Sequence, residues 1–204
     1  MTGFFFSNWC NFMKRFKLIL ALLLIFVGLF AGVLMSDVEK PKYKILSLDN
    51  NIELRQYDSI FIAEVVVEGQ RKDAINKGFK ILANYIFGEN SDNLKIEMTA
   101  PVKQQKTNNA WRISFSMPEK YNLDSLPIPK NKAVQLKNIT NKKFATISFS
   151  GFNSDENITV NENLLKNYLI KNKIVSNNFP IYAFYNPPWT LPMFRRNEIM
   201  FEIE

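Results

Sequence analysis

The chain has 204 residues, a hydrophobic fraction of 47% with 18 phenylalanines, and a formal net charge of +7, enough apolar surface to fold one domain and too much for a disordered chain. Its basic residues are not gathered into an arm or a run after residue 40, which argues against a nucleic-acid interface. It contains no histidine, a single cysteine (Cys10) and only 7 glycines, which excludes Ser-His-Asp and Cys-His catalysis, histidine-ligated metals, an internal disulfide and a Gly-rich phosphate loop.

In chain order, residues 1–17 are basic and aromatic, with Lys14, Arg15 and Lys17 ahead of the first acid and Phe4-Phe5-Phe6 and Trp9 suited to a membrane interface. Leu18–Met35 follows without a charge, 18 residues that at ~1.5 Å rise span about 27 Å, close to the hydrocarbon thickness of a bilayer. This predicts a single-pass transmembrane anchor. Cations before the run and acids just after it (Asp37, Glu39) place the amino terminus in the cytoplasm and the domain on the periplasmic or extracytoplasmic side. A cleaved signal peptide shares this layout, but its apolar core is ~7–15 residues and ends in a small-x-small site. Ala31-Gly32-Val33-Leu34-Met35-Ser36 supplies that site poorly, so the uncleaved anchor is preferred. Residues 36–41 then form a short stalk and residues 42–204 the folded domain.

Within the domain, Ile52–Tyr57 and Ile60–Val67 read as strands parted by a turn at Asp58-Ser59. A helix over Asp73–Phe87 carries Ile75, Phe79, Leu82 and Ile86 in one apolar stripe, and Gly88 is placed to stop it. Met98-Thr99-Ala100-Pro101-Val102 reads as strand that can hold its proline only at an edge or bulge. Trp111, Ile113, Phe115 and Met117 alternate with Ala110, Arg112, Ser114 and Ser116, a half-buried strand by period. Ala133–Ile139 and Phe144–Phe149 are further strands. Thr159-x-x-Glu162 reads as a capping box that opens a second helix, with Leu164, Leu165, Tyr168 and Leu169 on one side and an end near Asn172. Ile181–Tyr185 and Glu198–Ile203 are strands; between them Pro187-Pro188-Trp189 predicts a rigid loop with Trp189 tucked against the sheet. In the last strand Ile199, Phe201 and Ile203 oppose Glu198, Glu202 and Glu204. Strands, a helix and strands thus occur twice, with Pro127-x-Pro129 at the seam. The order predicts an α+β fold: an antiparallel sheet curled around two helices and built from a duplicated unit.

Four motifs punctuate this pattern: Met98-Thr99-Ala100-Pro101-Val102, Phe115-Ser116-Met117-Pro118, Tyr185-Asn186-Pro187-Pro188-Trp189 and Arg195-Arg196-Asn197-Glu198. In that order and spacing, the chain from about Lys42 to Glu204 resembles the SOUL/haem-binding protein family. The resemblance implies a distorted antiparallel β-barrel with two α-helices and pseudo-twofold symmetry, no catalysis, and haem or another tetrapyrrole held non-covalently. It sets the ligand on the first helix with nearby strands: Ile75, Phe79, Leu82 and Ile86, with Met98 within reach. In mammalian members that helix carries a basic residue thought to contact a propionate; the matching position here is Asn76, with Lys77 and Lys80 adjacent. A second basic position falls in Trp189-Thr190-Leu191-Pro192 and is not basic, so only the apolar face carries over.

The competing readings are plain. An apolar helical stripe is usually core. Of Arg195 and Arg196, consecutive on an extended strand, only one can face a pocket; the choices are a carboxylate partner such as Glu198 or an anion-binding role toward a propionate. Glu64 and Glu97 are the acids a hydrolase would need, and no nucleophile motif accompanies them. The reading that results is a membrane-anchored domain that binds a planar hydrophobic ligand by burial, without a histidine ligand and with no metal site of its own. The alternative is a structural or interaction domain at the membrane surface with no small molecule bound.

Overall fold

The computed structural model describes residues 38–204, together with Lys17; the predicted anchor Leu18–Met35 lies outside the described residues. Strands β1 (Lys44–Asp49) and β2 (Ile52–Glu68) lead into helix α1 (Arg71–Ile86), then β3 (Val102–Lys106) and β4 (Ala110–Ser116). Strand β5 (Gln135–Phe149), helix α2 (Asp155–Lys171), β6 (Ile181–Phe184), a single 3-10 turn at Pro192–Phe194 and β7 (Asn197–Ile203) complete the chain. The hydrogen-bonded order β2-β4-β3-β6-β7-β5 returns from β5 to β2, so six antiparallel strands close into a barrel, and β1 pairs with β2 outside the ring. The fold is α+β, as expected.

Closure follows from a repeated unit. β2-α1-β3-β4 and β5-α2-β6-β7 share the same internal pairings, first strand with last and the last two with each other. The halves meet at β2/β5 and β3/β6. Each helix covers its own half from outside. Under α1, Ala63, Val65, Val67, Ile113 and Phe115 meet Ala74, Leu82, Tyr85 and Ile86. Under α2, Ala145, Ile147, Ile199 and Phe201 meet Ile158, Leu165 and Leu169. Full burial of side chains such as Leu82 and Leu165 contributes roughly 1.5–3 kcal/mol each. The opposite strand faces point into the barrel, where Tyr57, Ile60, Ile62, Phe144, Ala183 and Met200 form a third cluster.

Two expected strand breaks are absent. β2 runs through Asp58-Ser59 for 17 residues, because Tyr57 and Ser59 stay in register with Lys142 and Thr140 of β5. What changes there is the inward face: Arg55 and Tyr57 are buried on one side of this point, then Ile60, Ile62 and Glu64 on the other. The two strands expected at Ala133–Ile139 and Phe144–Phe149 are likewise one, β5.

Gly88, at φ +118, follows the C-cap Phe87 and ends α1 as expected. Gly78 has a different duty: a Cβ there would lie 2.7 Å from Ile113 Cδ1, so the missing side chain lets α1 approach β4. α2 begins earlier than the expected capping box. Ser154 is its N-cap, its Oγ accepting from Asn157 N at 3.3 Å, while Thr159 lies inside the helix and donates to the Asp155 carbonyl at 2.7 Å. Met98–Pro101 is a loop that joins the sheet only at Val102; Ala100 N donates to Glu39 O at 2.9 Å and Thr99 Oγ1 to Ser116 O at 2.7 Å.

Candidate ligand-binding site

The stripe on α1 divides in two. Leu82 and Ile86 point into the core, Ile75 is half-buried against it, and Phe79 is 39% exposed. The Phe79 ring meets Phe115 of β4 edge-on at 5.3 Å, so it is held rather than loose. Met98, in the loop before β3, is 41% exposed. Lys72, Asn76, Lys77 and Lys80 are exposed on the same helix. The outer face of α1 therefore offers an apolar shelf of Ile75 and Phe79 among lysines.

Arg195 and Arg196 lie elsewhere. The half-buried Arg195 donates to the carbonyls of Thr190 (2.8 Å) and Pro188 and stacks on Phe152, 5.4 Å from the ring centroid. It belongs to the turn beside α2, in the other repeat from α1. Arg196 donates to Glu198 Oε1 from Nε (2.9 Å) and Nη2 (2.6 Å) and lies 4.4 Å over the Tyr185 ring. Trp189, expected against the sheet, is 70% exposed; Leu191, Met193 and Phe194 are exposed beside it in sequence.

Glu198 is the hub of the barrel's polar interior. It is wholly buried, and its Oε1 accepts from Arg55 Nη2 (3.0 Å), Ser148 Oγ (3.2 Å) and both Arg196 nitrogens. Its Oε2 accepts from Arg55 Nη1 (2.9 Å) and Tyr185 Oη (2.8 Å). Arg55, also wholly buried, completes its guanidinium with Glu53 at 2.6 Å and lies 4.3 Å over the Tyr43 ring. Burial alone would push the Glu198 carboxyl up; the hydrogen bonds and charge of Arg55, then Arg196, outweigh it and hold the group below the usual carboxylate range. Burial raises the Tyr185 phenol, with the Glu198 charge adding to it, so it stays protonated and donates. This is a charge-matched, saturated cluster with no site left for a ligand.

Toward the other end of the barrel, a cavity of about 130 Å³ opens among Ile60, Ile62, Phe144, Ile181, Lys103 and Glu64. Drug-sized ligands need pockets of ~300 Å³ or more, so a tetrapyrrole does not fit inside the barrel. Glu97 sits outside, exposed and paired with Lys120 at 2.6 Å. Among the described residues no cluster of acids or cysteine could hold a metal ion.

The sequence pattern of the SOUL heme-binding protein family matches residues 38–202, all but the first 37 and the last two residues of the chain. The chain belongs to the SOUL heme-binding protein family. Membership points to a binding rather than a catalytic domain, with haem or a related tetrapyrrole as the class of ligand. No curated protein matches it in a sequence comparison. Among solved structures it is similar to the C-terminal domain of EcmrR, at 13% identity and a TM-score of 0.56, over 79% of this chain and 98% of that one. It is also similar to a hydrolase from Listeria innocua, at 8% identity and a TM-score of 0.56, over 78% of this chain and 94% of the other. At such identities the likeness is one of fold alone.

Sequence reasoning named Glu198 as a partner for one arginine but missed Arg55, Tyr57, Ser148, Tyr185 and Lys103 as barrel-interior residues. The alternation of Arg112, Ser114 and Ser116 with Trp111, Ile113 and Phe115 in β4, and of Glu198 and Glu202 with Ile199, Phe201 and Ile203 in β7, was the available signal for a polar inward face; Arg55, Tyr57, Ser148 and Tyr185 carried none.

Proposed function

We propose that this chain is a membrane-tethered SOUL domain that binds haem or another tetrapyrrole on the outer face of α1, by hydrophobic burial and without a histidine ligand. The observation that carries this is Phe79: an aromatic ring 39% exposed on the first helix, braced by Phe115, beside half-buried Ile75. A planar apolar ligand laid on this shelf would cover both side chains. Lys77 and Lys80 are the cations available for its propionates; Arg195 and Arg196 are already engaged by Thr190, Pro188 and Glu198. Leu82 and Ile86 support the shelf from beneath.

Bound haem would bring an iron open to axial ligands, and the domain has only Met, Tyr, Lys or water to offer it. Exposed Met98 is the thioether available near β3. Binding is then mainly hydrophobic, with little preference for haem over an iron-free porphyrin. Tethering is proposed from the uncharged Leu18–Met35 run and its flanking charges, with the domain outside the cytoplasm. Among the described residues no helix is long and apolar enough to cross a membrane.

Haemin titration of the full-length protein, followed in the Soret band, tests the reading. One saturable equivalent, with protoporphyrin close behind, is expected. A low-spin spectrum with affinity far above that for protoporphyrin contradicts it. A second reading, an interaction domain with no small molecule, is favoured by exposed Trp189, Leu191, Met193 and Phe194; absence of saturable tetrapyrrole binding would leave it standing.

A further inference from the structure

The barrel cavity is too small for a tetrapyrrole, yet it is not merely packing space. Its apolar wall includes Ile60, Ile62, Ile139, Phe144 and Ile181, and Lys103 of β3 reaches into it. Lys103 sits in register between Ser114 of β4 and Ala183 of β6, so its stem rises from the barrel floor. The carboxylates at the cavity are already engaged by other cations. Glu64 accepts from Lys137 at 2.6 Å with Arg112 Nε 3.6 Å away, and Glu202 pairs with Lys142. Lys103 has no such partner: among the described residues no carboxylate forms an ion pair with it, although the Glu198 charge acts on it from a distance, and its Nζ lies 5.6 Å from the Tyr57 ring centroid.

We propose that the barrel interior is a second ligand site, for a compact apolar monocarboxylate whose carboxylate docks on Lys103 Nζ. The walls select an apolar body and the lone ammonium selects an anion. The small volume suits a single carboxylate, since a second on so compact a body would lie against the apolar wall, buried and unpaired. The volume sets the size: a dry cavity of ~150 Å³ accepts a benzene-sized molecule, so a benzoate or a short branched-chain acid is the scale. Ser114 Oγ, beside Lys103 in the β3/β4 register, is a second donor for the same carboxylate. Burial draws the Lys103 ammonium down to about 8, and a docked anion would raise it again. This site is separate from the α1 shelf and does not rest on the tetrapyrrole reading.

The test is calorimetric titration of the full-length protein in lipid nanodiscs with sodium benzoate, benzamide and benzyl alcohol. Benzoate should saturate at one equivalent and bind at least about tenfold tighter than benzamide, the scale of a hydrogen bond to a charged group. Lys103→Met should abolish that preference while leaving benzyl alcohol unchanged. Benzoate should not displace haemin. Equal binding of benzoate and benzamide by the wild type overturns the proposal, as does a benzoate preference that survives Lys103→Met or no saturable uptake of any probe. The wild-type benzoate-to-benzamide ratio needs no variant, so it decides the matter even if Lys103→Met fails to fold.

Discussion

Replacing Glu198 with methionine removes the one carboxylate that serves Arg55, Arg196, Tyr185 and Ser148. Arg196 is half-buried and can turn toward water, but Arg55 is wholly enclosed and keeps only Glu53. Breaking one side of a buried pair costs about 3–5 kcal/mol, because a charge is left without its partner. For a domain of this size, 1 kcal/mol moves the melting temperature by roughly 2–4 °C, so Glu198→Met should lower it by roughly 6–20 °C. The double variant Arg55→Met/Glu198→Met removes both charges and puts apolar volume in their place. Well-packed hydrophobic substitutes for a buried pair are often neutral or better, so the double variant should recover at least about 2 kcal/mol relative to Glu198→Met. Urea unfolding of wild type, both single variants and the double gives the coupling energy directly. A Glu198→Met cost below about 1 kcal/mol, or a double variant as unstable as the two singles added, would refute the claim that this cluster is a closed, mutually dependent unit.

Acid should act through the same residue: with the folded value of Glu198 held low, its stabilisation is full above the unfolded carboxylate value of 4.5 and is lost as pH falls below it toward the folded value. Urea midpoints across that range should fall more steeply for wild type than for Glu198→Met. Lys103 acts in the opposite direction. Its folded value of about 8, against an ordinary 10.5, means that its charge is carried at a cost below about pH 8, on the order of 3 kcal/mol, and the cost fades as pH rises to 10.5. Glu64, Arg112, Lys142 and Glu202 face the same cavity, and Arg55 and Glu198 act on Lys103 through their charges, so the comparison is Lys103→Met against wild type at each pH: the variant should be more stable at pH 7 and equal near pH 10.5. Gly78→Ala drives a methyl into Ile113, and overpacking of this kind should cost about 1–3 kcal/mol, read as a lower urea midpoint at unchanged slope.

The outward-facing half of this fold was legible in the sequence, and the inward half was not. Ile113 and Phe115, and Ile199 and Phe201, show the alternation that puts them under α1 and α2. The residues between them, Arg112 and Ser114 or Glu198 and Glu202, look like a solvent face, because a polar period of two is the same whether it meets bulk water or the inside of a closed barrel. Closure depends on β2 pairing with β5, a contact far apart in sequence that no local pattern encodes. Asp58-Ser59 carries a turn signature, yet pairing with β5 before and after it keeps the strand continuous. The α1 stripe is one apolar face in the sequence, but a helix lying on strands buries only part of such a face. Leu82 and Phe79 therefore differ in exposure although they are neighbours on the stripe.

The measurement that bears most directly on the central claim is a haemin titration of Phe79→Asp beside a thermal melt of the same protein. Phe79 is 39% exposed, so water reaches the new carboxylate and the fold loses little beyond the contact with Phe115, about 0.5–1.5 kcal/mol. The account predicts a melting temperature within a few degrees of wild type, by roughly 2–4 °C per kcal/mol, and a Soret titration that no longer saturates. A variant that folds and still takes up haemin as wild type does would contradict it and remove α1 from the binding site.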